Sequence, residues 1–180
     1  TSINNQPTYA FDTRFAYIYI PGTGWERSGT GTSPFWHGTN LNFFWSDNFR
    51  NAQNPGVFLL FVTNFYAVNP SGAVSANDDP IWYLNSATNA WTAFTPKFLV
   101  AGAGNFVRTA RIIVVFKNRL VLLGTIETNA ANNTNISYPF RGRVSMVDNP
   151  LDVNAYLEIG EVGSLGGGVI DIPTQESIIT

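Results

Sequence analysis

Apolar residues in this chain come in short runs broken by turns, not at helical spacing. The clearest case is Arg111-Ile112-Ile113-Val114-Val115-Phe116-Lys117-Asn118-Arg119-Leu120-Val121-Leu122-Leu123-Gly124. Two apolar runs flank a tight polar turn there, which predicts a β-hairpin buried on both faces. The same pattern predicts strands over 15–20, 40–45, 57–64, 81–84, 91–94, 110–116, 120–127 and 141–146. Shorter strands are expected between 156 and 172. Val, Ile, Thr, Phe, Tyr and Trp are dense, and helix-forming stretches are missing. Gly, Pro and Asn punctuate the chain at short intervals. The expected fold class is therefore all-β and antiparallel.

A faint repeat refines that expectation. Ala16-Tyr17-Ile18-Tyr19-Ile20-Pro21-Gly22-Thr23-Gly24-Trp25 resembles Trp82-Tyr83-Leu84-Asn85-Ser86-Ala87-Thr88-Asn89-Ala90-Trp91. Each is an aromatic strand, a small polar turn and a Trp, followed by a loop and a long apolar pair. A sheet with two apolar faces must stack on neighbours, and radial stacking gives β-propeller-like blades. On this reading 1–76 is a first blade-like unit and 77–180 a second plus the start of a third, within a larger propeller. The alternative is an antiparallel β-sandwich. Trp25 and Trp91, at equivalent places in the repeat, are expected to pack between blades.

Composition changes the picture in one respect. Hydrophobic residues make up 44% of the 180 and charged residues only 12%, about half the usual charged share. With 14 Phe, 7 Tyr and 5 Trp, this suggests that other protein covers part of the surface. The net charge of −2 argues against general affinity for the nucleic-acid backbone. Lys117 with Arg119, and Arg141 with Arg143, form the nearest thing to a basic strip, as edge or channel residues. No Cys is present, so disulfides and thiolate metal sites are excluded. No apolar run is long enough for a transmembrane helix, and no membrane partner is expected. The chain begins at Thr1 with no visible signal peptide, so a processed protein or a segment of a longer one is expected.

Candidate chemistry is sparse. His37 is the single His, and any Ser-His-Asp triad or His-based metal site would need it. Asp78-Asp79 is the one adjacent acidic pair, expected as turn formers and less readily as hard-cation ligands. No P-loop or nucleophile elbow occurs. Glycoside hydrolysis would need two carboxylates across a cleft, and no pair suggests itself. The Gly163–Gly168 stretch is expected as a tight or flexible loop, and Thr174 as the cap of a short helix. No enzyme activity, catalytic residue, cofactor or metal is expected. Trp36, Tyr66 and Trp82 are the candidate ligand or interface aromatics, with Trp36 expected as an exposed ring.

One series of segments carries a family resemblance: the Trp hairpin, then Phe116-Lys117-Asn118-Arg119-Leu120-Val121-Leu122-Leu123-Gly124-Thr125, then Tyr138-Pro139 with Arg141-Gly142-Arg143-Val144-Ser145. After these come Asp148-Asn149-Pro150-Leu151-Asp152, Gly166-Gly167-Gly168 and Pro173-Thr174-Gln175-Glu176-Ser177-Ile178. Over 81–178 this order resembles the propeller-type virion proteins of tailed bacteriophages, such as tail nozzle or tail tubular proteins. Met146 stands near where that pattern often has Trp. The resemblance implies a structural virion subunit of the tail or portal-proximal connector. It would form a homo-oligomeric ring with other virion subunits and let DNA pass without specific binding. The alternative is a carbohydrate- or receptor-binding β module, which would show exposed aromatic rings on one face.

Overall fold

The computed structural model describes residues 7–29, 33–50, 56–99 and 104–172. They form eleven strands in three antiparallel sheets, with no helix among the described residues. Strands β1 (Thr8–Phe11), β2 (Ala16–Ile20) and β3 (Gly24–Arg27) make the first sheet, in the order β1-β2-β3. Strands β4 (Trp45–Arg50), β5 (Phe58–Thr63), β6 (Ile81–Asn85) and β7 (Ala90–Phe94) make the second, again in chain order. Strands β8 (Phe106–Phe116), β9 (Arg119–Asn129), β10 (Thr134–Val144) and β11 (Gly168–Asp171) make the third. Each sheet is thus a meander of consecutive strands.

Alternation along β5 explains how the sheets stack. Leu60 and Val62 face one way, Leu59 and Phe61 the other. On the first side, Leu60, Val62 and Leu84 join Ala16, Trp36, Tyr9 and Phe11 in a core between the first and second sheets. On the second side, Phe49, Phe61, Ile81 and Phe94 meet Val107, Ala110, Ile113, Leu120 and Leu122 of the third sheet. The middle sheet is therefore covered on both faces, and the stacking follows chain order. It draws two strands from each side of position 76, so the sheets divide the chain elsewhere than between 76 and 77.

The β8–β9 hairpin forms as its pattern predicts. Lys117 and Asn118 both adopt positive φ, 47° and 58°, the combination of a two-residue hairpin turn whose twist matches its strands. Its two faces differ, however. Ile113, Val115, Leu120 and Leu122 pack in the core, while Val114, Phe116, Val121 and Leu123 point away from the second sheet. Only one face has a neighbouring sheet among the described residues, so the expected burial on both faces is met on one.

Other departures have local causes. The strand expected over 40–45 lies instead at Trp45–Arg50. Thr39 and Asn42 close a turn on each other, Thr39 N donating to Asn42 Oδ1 at 2.9 Å and Asn42 N to Thr39 O at 3.0 Å. The polar stretch Ser46-Asp47-Asn48 pairs instead with the apolar β5. The short strands β1 and β3 lay below the apolar-run signal. β10 begins well before Arg141, because a register shift between Tyr138 and Gly142 accommodates Pro139, as bulges do. The helix expected at Thr174 lies outside the described residues.

Candidate functional site

β8 is an edge of its sheet. Three of its backbone groups are nonetheless bonded by side chains from the middle sheet. Trp45 Nε1 donates to Ile113 O at 2.7 Å, Val115 N to Asp47 Oδ2 at 2.7 Å, and Thr63 Oγ1 to Ala110 O at 2.8 Å. An open edge invites pairing with another chain, and capping it this way removes the template. Asp47 of β4 is thus explained: with Trp45 and with Thr63 of β5 it locks the second sheet to the third.

The two acidic neighbours organise loops. Asp79 is wholly buried and accepts from His37 N at 2.8 Å, Gly38 N at 3.0 Å and Asn64 Nδ2 at 2.7 Å, with His37 Nδ1 3.0 Å away. Asp78 accepts from Val68 N at 2.8 Å, Ser75 N at 2.9 Å and Asn135 Nδ2 at 2.8 Å. Each carboxylate is satisfied by amide donors, as buried charges require. His37 is held by Asp79 as a clamp on the 36–38 loop. Among the described residues no group of three His, Cys, Asp or Glu side chains is placed to hold a metal ion.

The basic candidates are tied into the fold. Arg143, expected at a channel or edge, is 1% exposed. It pairs with Leu122 across the ladder, so it shares the core-facing side. It donates to Glu127 at 2.8 and 2.9 Å and to Glu158 at 2.6 Å, and its guanidinium lies 3.7 Å from the Phe98 ring centroid. Arg141 shares Glu127 at 3.3 Å and forks onto Asp171 at 2.7 and 3.0 Å. Both arginines reach the same carboxylate, as their spacing on one strand face predicts. The Asp171 carboxyl is held below its usual pKa by the hydrogen bond from Arg141, against a smaller opposing effect of desolvation. Arg119 donates to Ser145 O and Gly166 O at 2.6 and 2.8 Å. Lys117 lies 5.4 Å from the Phe116 ring centroid. The four do not form one strip.

The aromatic candidates are also placed differently. Trp36, expected as an exposed ring, is wholly buried. It sits edge-on to Phe11, Phe35, Phe44 and Trp91 at centroid distances of 5.8, 5.5, 4.9 and 6.3 Å. The loop after β3 tucks it between two sheets, where an aromatic cluster outweighs the polar surroundings in sequence. Trp82 is half-buried and donates from Nε1 to Phe35 O at 3.0 Å. Tyr66 is half-buried in the loop after β5. The three do not share an exposed platform.

Three other surfaces stand out. The outer face of the first sheet presents Tyr19 and Trp25, paired across β2 and β3 with rings 5.5 Å apart; Trp25 is 53% exposed. The outer face of the third sheet presents Phe116, Val121, Leu123, Val144 and Ile170. The third surface is a groove of about 510 Å³ lined by Leu41, Asn42, Phe43, Phe44, Trp45, Asn64, Phe65 and Arg111. Leu41 and Phe43 are each 86% exposed on its rim. Phe65, at φ 51°, holds a left-handed conformation that costs a non-Gly residue energy. Asn64 must turn Nδ2 toward the acceptor-only carboxylate of Asp79, which leaves its buried Oδ1 without a partner. Sequence reasoning missed this groove because its residues lie in three separate segments.

No family model matches this chain, and no curated protein and no solved structure matches it either.

Proposed function

We propose that this protein is a structural assembly subunit whose three sheets are consecutive propeller-like blades, of the kind used in phage virions. The observation that carries the reading is the stack itself: three meanders packed face to face in chain order, with apolar outer faces at both ends. Of the two Trp residues expected to pack between blades, Trp91 does so and supports the blade repeat, whereas Trp25 is 53% exposed. Trp91 faces the preceding sheet, where Nε1 donates to Ser28 Oγ at 2.9 Å. Trp25 occupies the corresponding place on the first sheet, facing away from the second, where no preceding sheet lies among the described residues. A ring of sheets would cover both end faces. Large exposed apolar patches on a weakly charged protein mark interaction surfaces.

The virion setting, in the tail or portal-proximal connector, rests on the resemblance of 81–178 to tail nozzle and tail tubular proteins. In that setting the subunit works by packing rather than by chemistry, forming a ring around a channel through which DNA passes. The weak negative charge suits a channel that does not grip phosphates, and Arg141 and Arg143 are already engaged by carboxylates. The carbohydrate-binding alternative loses Trp36 to burial, and its exposed rings on one face would have to be Tyr19 and Trp25, which the assembly reading assigns to a covered end face. Electron microscopy with mass spectrometry of native particles containing this chain tests the proposal. A symmetric ring on a tail or connector is the expected result. Absence of the chain from particles, with the protein free as a monomer, would overturn it.

A further inference from the structure

The three meanders differ in strand number. The second and third sheets hold four strands each, and the first holds three among the described residues. The Trp hairpins show which strand is missing. β2–β3 carries Trp25 and β6–β7 carries Trp91, so β1 stands where β5 stands in the second sheet and β9 in the third. Those two sheets each have one strand more beyond that position, β4 and β8. The outer edges of β3, β7 and β11 are different, because each is the last strand of its sheet alike.

The far edge of β1 is open. Asp12 N donates to Phe15 O at 3.0 Å, which continues the β1–β2 ladder. Hydrogen-bonded and non-bonded pairs alternate in an antiparallel ladder. Thr8 and Ala10 therefore bond Tyr19 and Tyr17, and the backbone N–H and C=O groups of Tyr9 and Phe11 point to the open side. Among the described residues they have no partner. Beside this edge runs a groove of about 200 Å³, between Tyr9 and Phe11 of β1 and Ser46, Asn48 and Arg50 of β4. Trp45 and Asp47 of β4 turn toward the third sheet, so alternation turns Ser46, Asn48 and Arg50 toward the groove. All three are exposed.

We infer that this groove seats a fourth strand of the first sheet, donated by a neighbouring subunit and running antiparallel to β1. All eleven described strands already have places in the three sheets, so none of them supplies it. The groove is smaller than the roughly 300–1,000 Å³ of sites that enclose small molecules. It offers instead what strand addition uses, main-chain groups for affinity and alternate side-chain positions for selection. Arg50 has no hydrogen bond or ion pair among the described residues, and it selects a strand with a carboxylate at that end. Ser46 and Asn48 select hydrogen-bonding side chains beside it. The inference rests on the assembly reading and names how one subunit is joined to the next.

Hydrogen exchange resolved to single amides tests it, on the full chain alone at low concentration and in native particles. In the chain alone, Tyr9 and Phe11 should exchange fast and Ala10, bonded to β2, slowly. In particles, Tyr9 and Phe11 should slow by about tenfold or more. Ser46→Trp fills the groove and Arg50→Glu reverses its charge. Each should lower incorporation into particles about tenfold, with the thermal midpoint of the chain unchanged because both positions are exposed. If Ser46→Trp lowers that midpoint, Arg50→Glu decides. Fast exchange of Tyr9 and Phe11 in particles overturns the inference, as does normal incorporation of a folded variant. Slow exchange in the chain alone also overturns it, since the edge is then filled from within one polypeptide. In these cases a chain still present in particles leaves the assembly reading standing. A chain absent from particles brings down both.

Discussion

Replacing Glu127 with Gln tests the charged cluster that ties the third sheet together. Glu127 is 4% exposed and accepts two bonds from Arg143, one from Arg141 and one from Thr125 Oγ1 at 3.0 Å. The neutral amide retains one acceptor but turns an NH₂ toward guanidinium N–H groups, which are donors only. Arg143, 1% exposed, would then rely on Glu158, whose side chain is 36% exposed. Removing one partner of a buried pair costs about 3–5 kcal/mol, because it leaves an uncompensated charge. The surviving Glu158 contact places this variant near the lower end of that range. Since a domain is stable by only about 5–15 kcal/mol, the urea midpoint should fall sharply with little change in slope. Glu127→Leu combined with Arg143→Met should recover most of the loss, because apolar replacement of both partners is often neutral. A Glu127→Gln cost below about 1 kcal/mol, or a double variant no better than the single, would refute the assignment of Arg143 as a buried, Glu127-dependent charge.

Trp36→Ala should cost about 3–5 kcal/mol in urea denaturation, the usual loss for a buried aromatic, whereas Trp25→Ala on the isolated chain should cost far less. Gly167→Ala should destabilise strongly, measured by thermal midpoint, because a Cβ there falls on the Ala155 carbonyl; a neutral result would place that backbone wrongly. The Arg141–Asp171 contact should show in the pH dependence of stability. A carboxyl with a lowered folded-state pKa stabilises above its unfolded value near about 4 and loses that contribution as pH falls through the folded value. Asp171 is 61% exposed, so Asp171→Asn should lower stability at pH 7 by less than about 1 kcal/mol. The difference from wild type should vanish toward pH 2.

Much of this architecture is legible in the residues because strand signals are local. The Lys117-Asn118 turn and its flanking aliphatics specify a hairpin without help from the rest of the chain, and the middle sheet's Val57–Thr63 region is apolar enough to declare a buried strand. The likeness of the hairpins that end in Trp25 and Trp91 is legible in the residues, but their different exposure is not, since it depends on which sheet lies opposite. Trp36 misleads for a similar reason. Its neighbours Pro34, His37 and Gly38 suggest a surface loop, while Phe11, Phe44 and Trp91 bury it from elsewhere in the chain. Arg143 could not be read as buried before the Glu127 carboxylate was known to reach it from the neighbouring strand β9. The groove at Phe43 and Phe65 is a product of tertiary placement, and no local pattern announces it.

The central claim is that the three sheets are blades whose end faces are covered by further sheet. An electron cryomicroscopy map of the assembled particle, at a resolution that separates strands, tests it most directly. The account predicts β-sheet packed about 10 Å from both the Tyr19–Trp25 face and the Val121–Leu123 face. Solvent against either face in the assembled particle would contradict it.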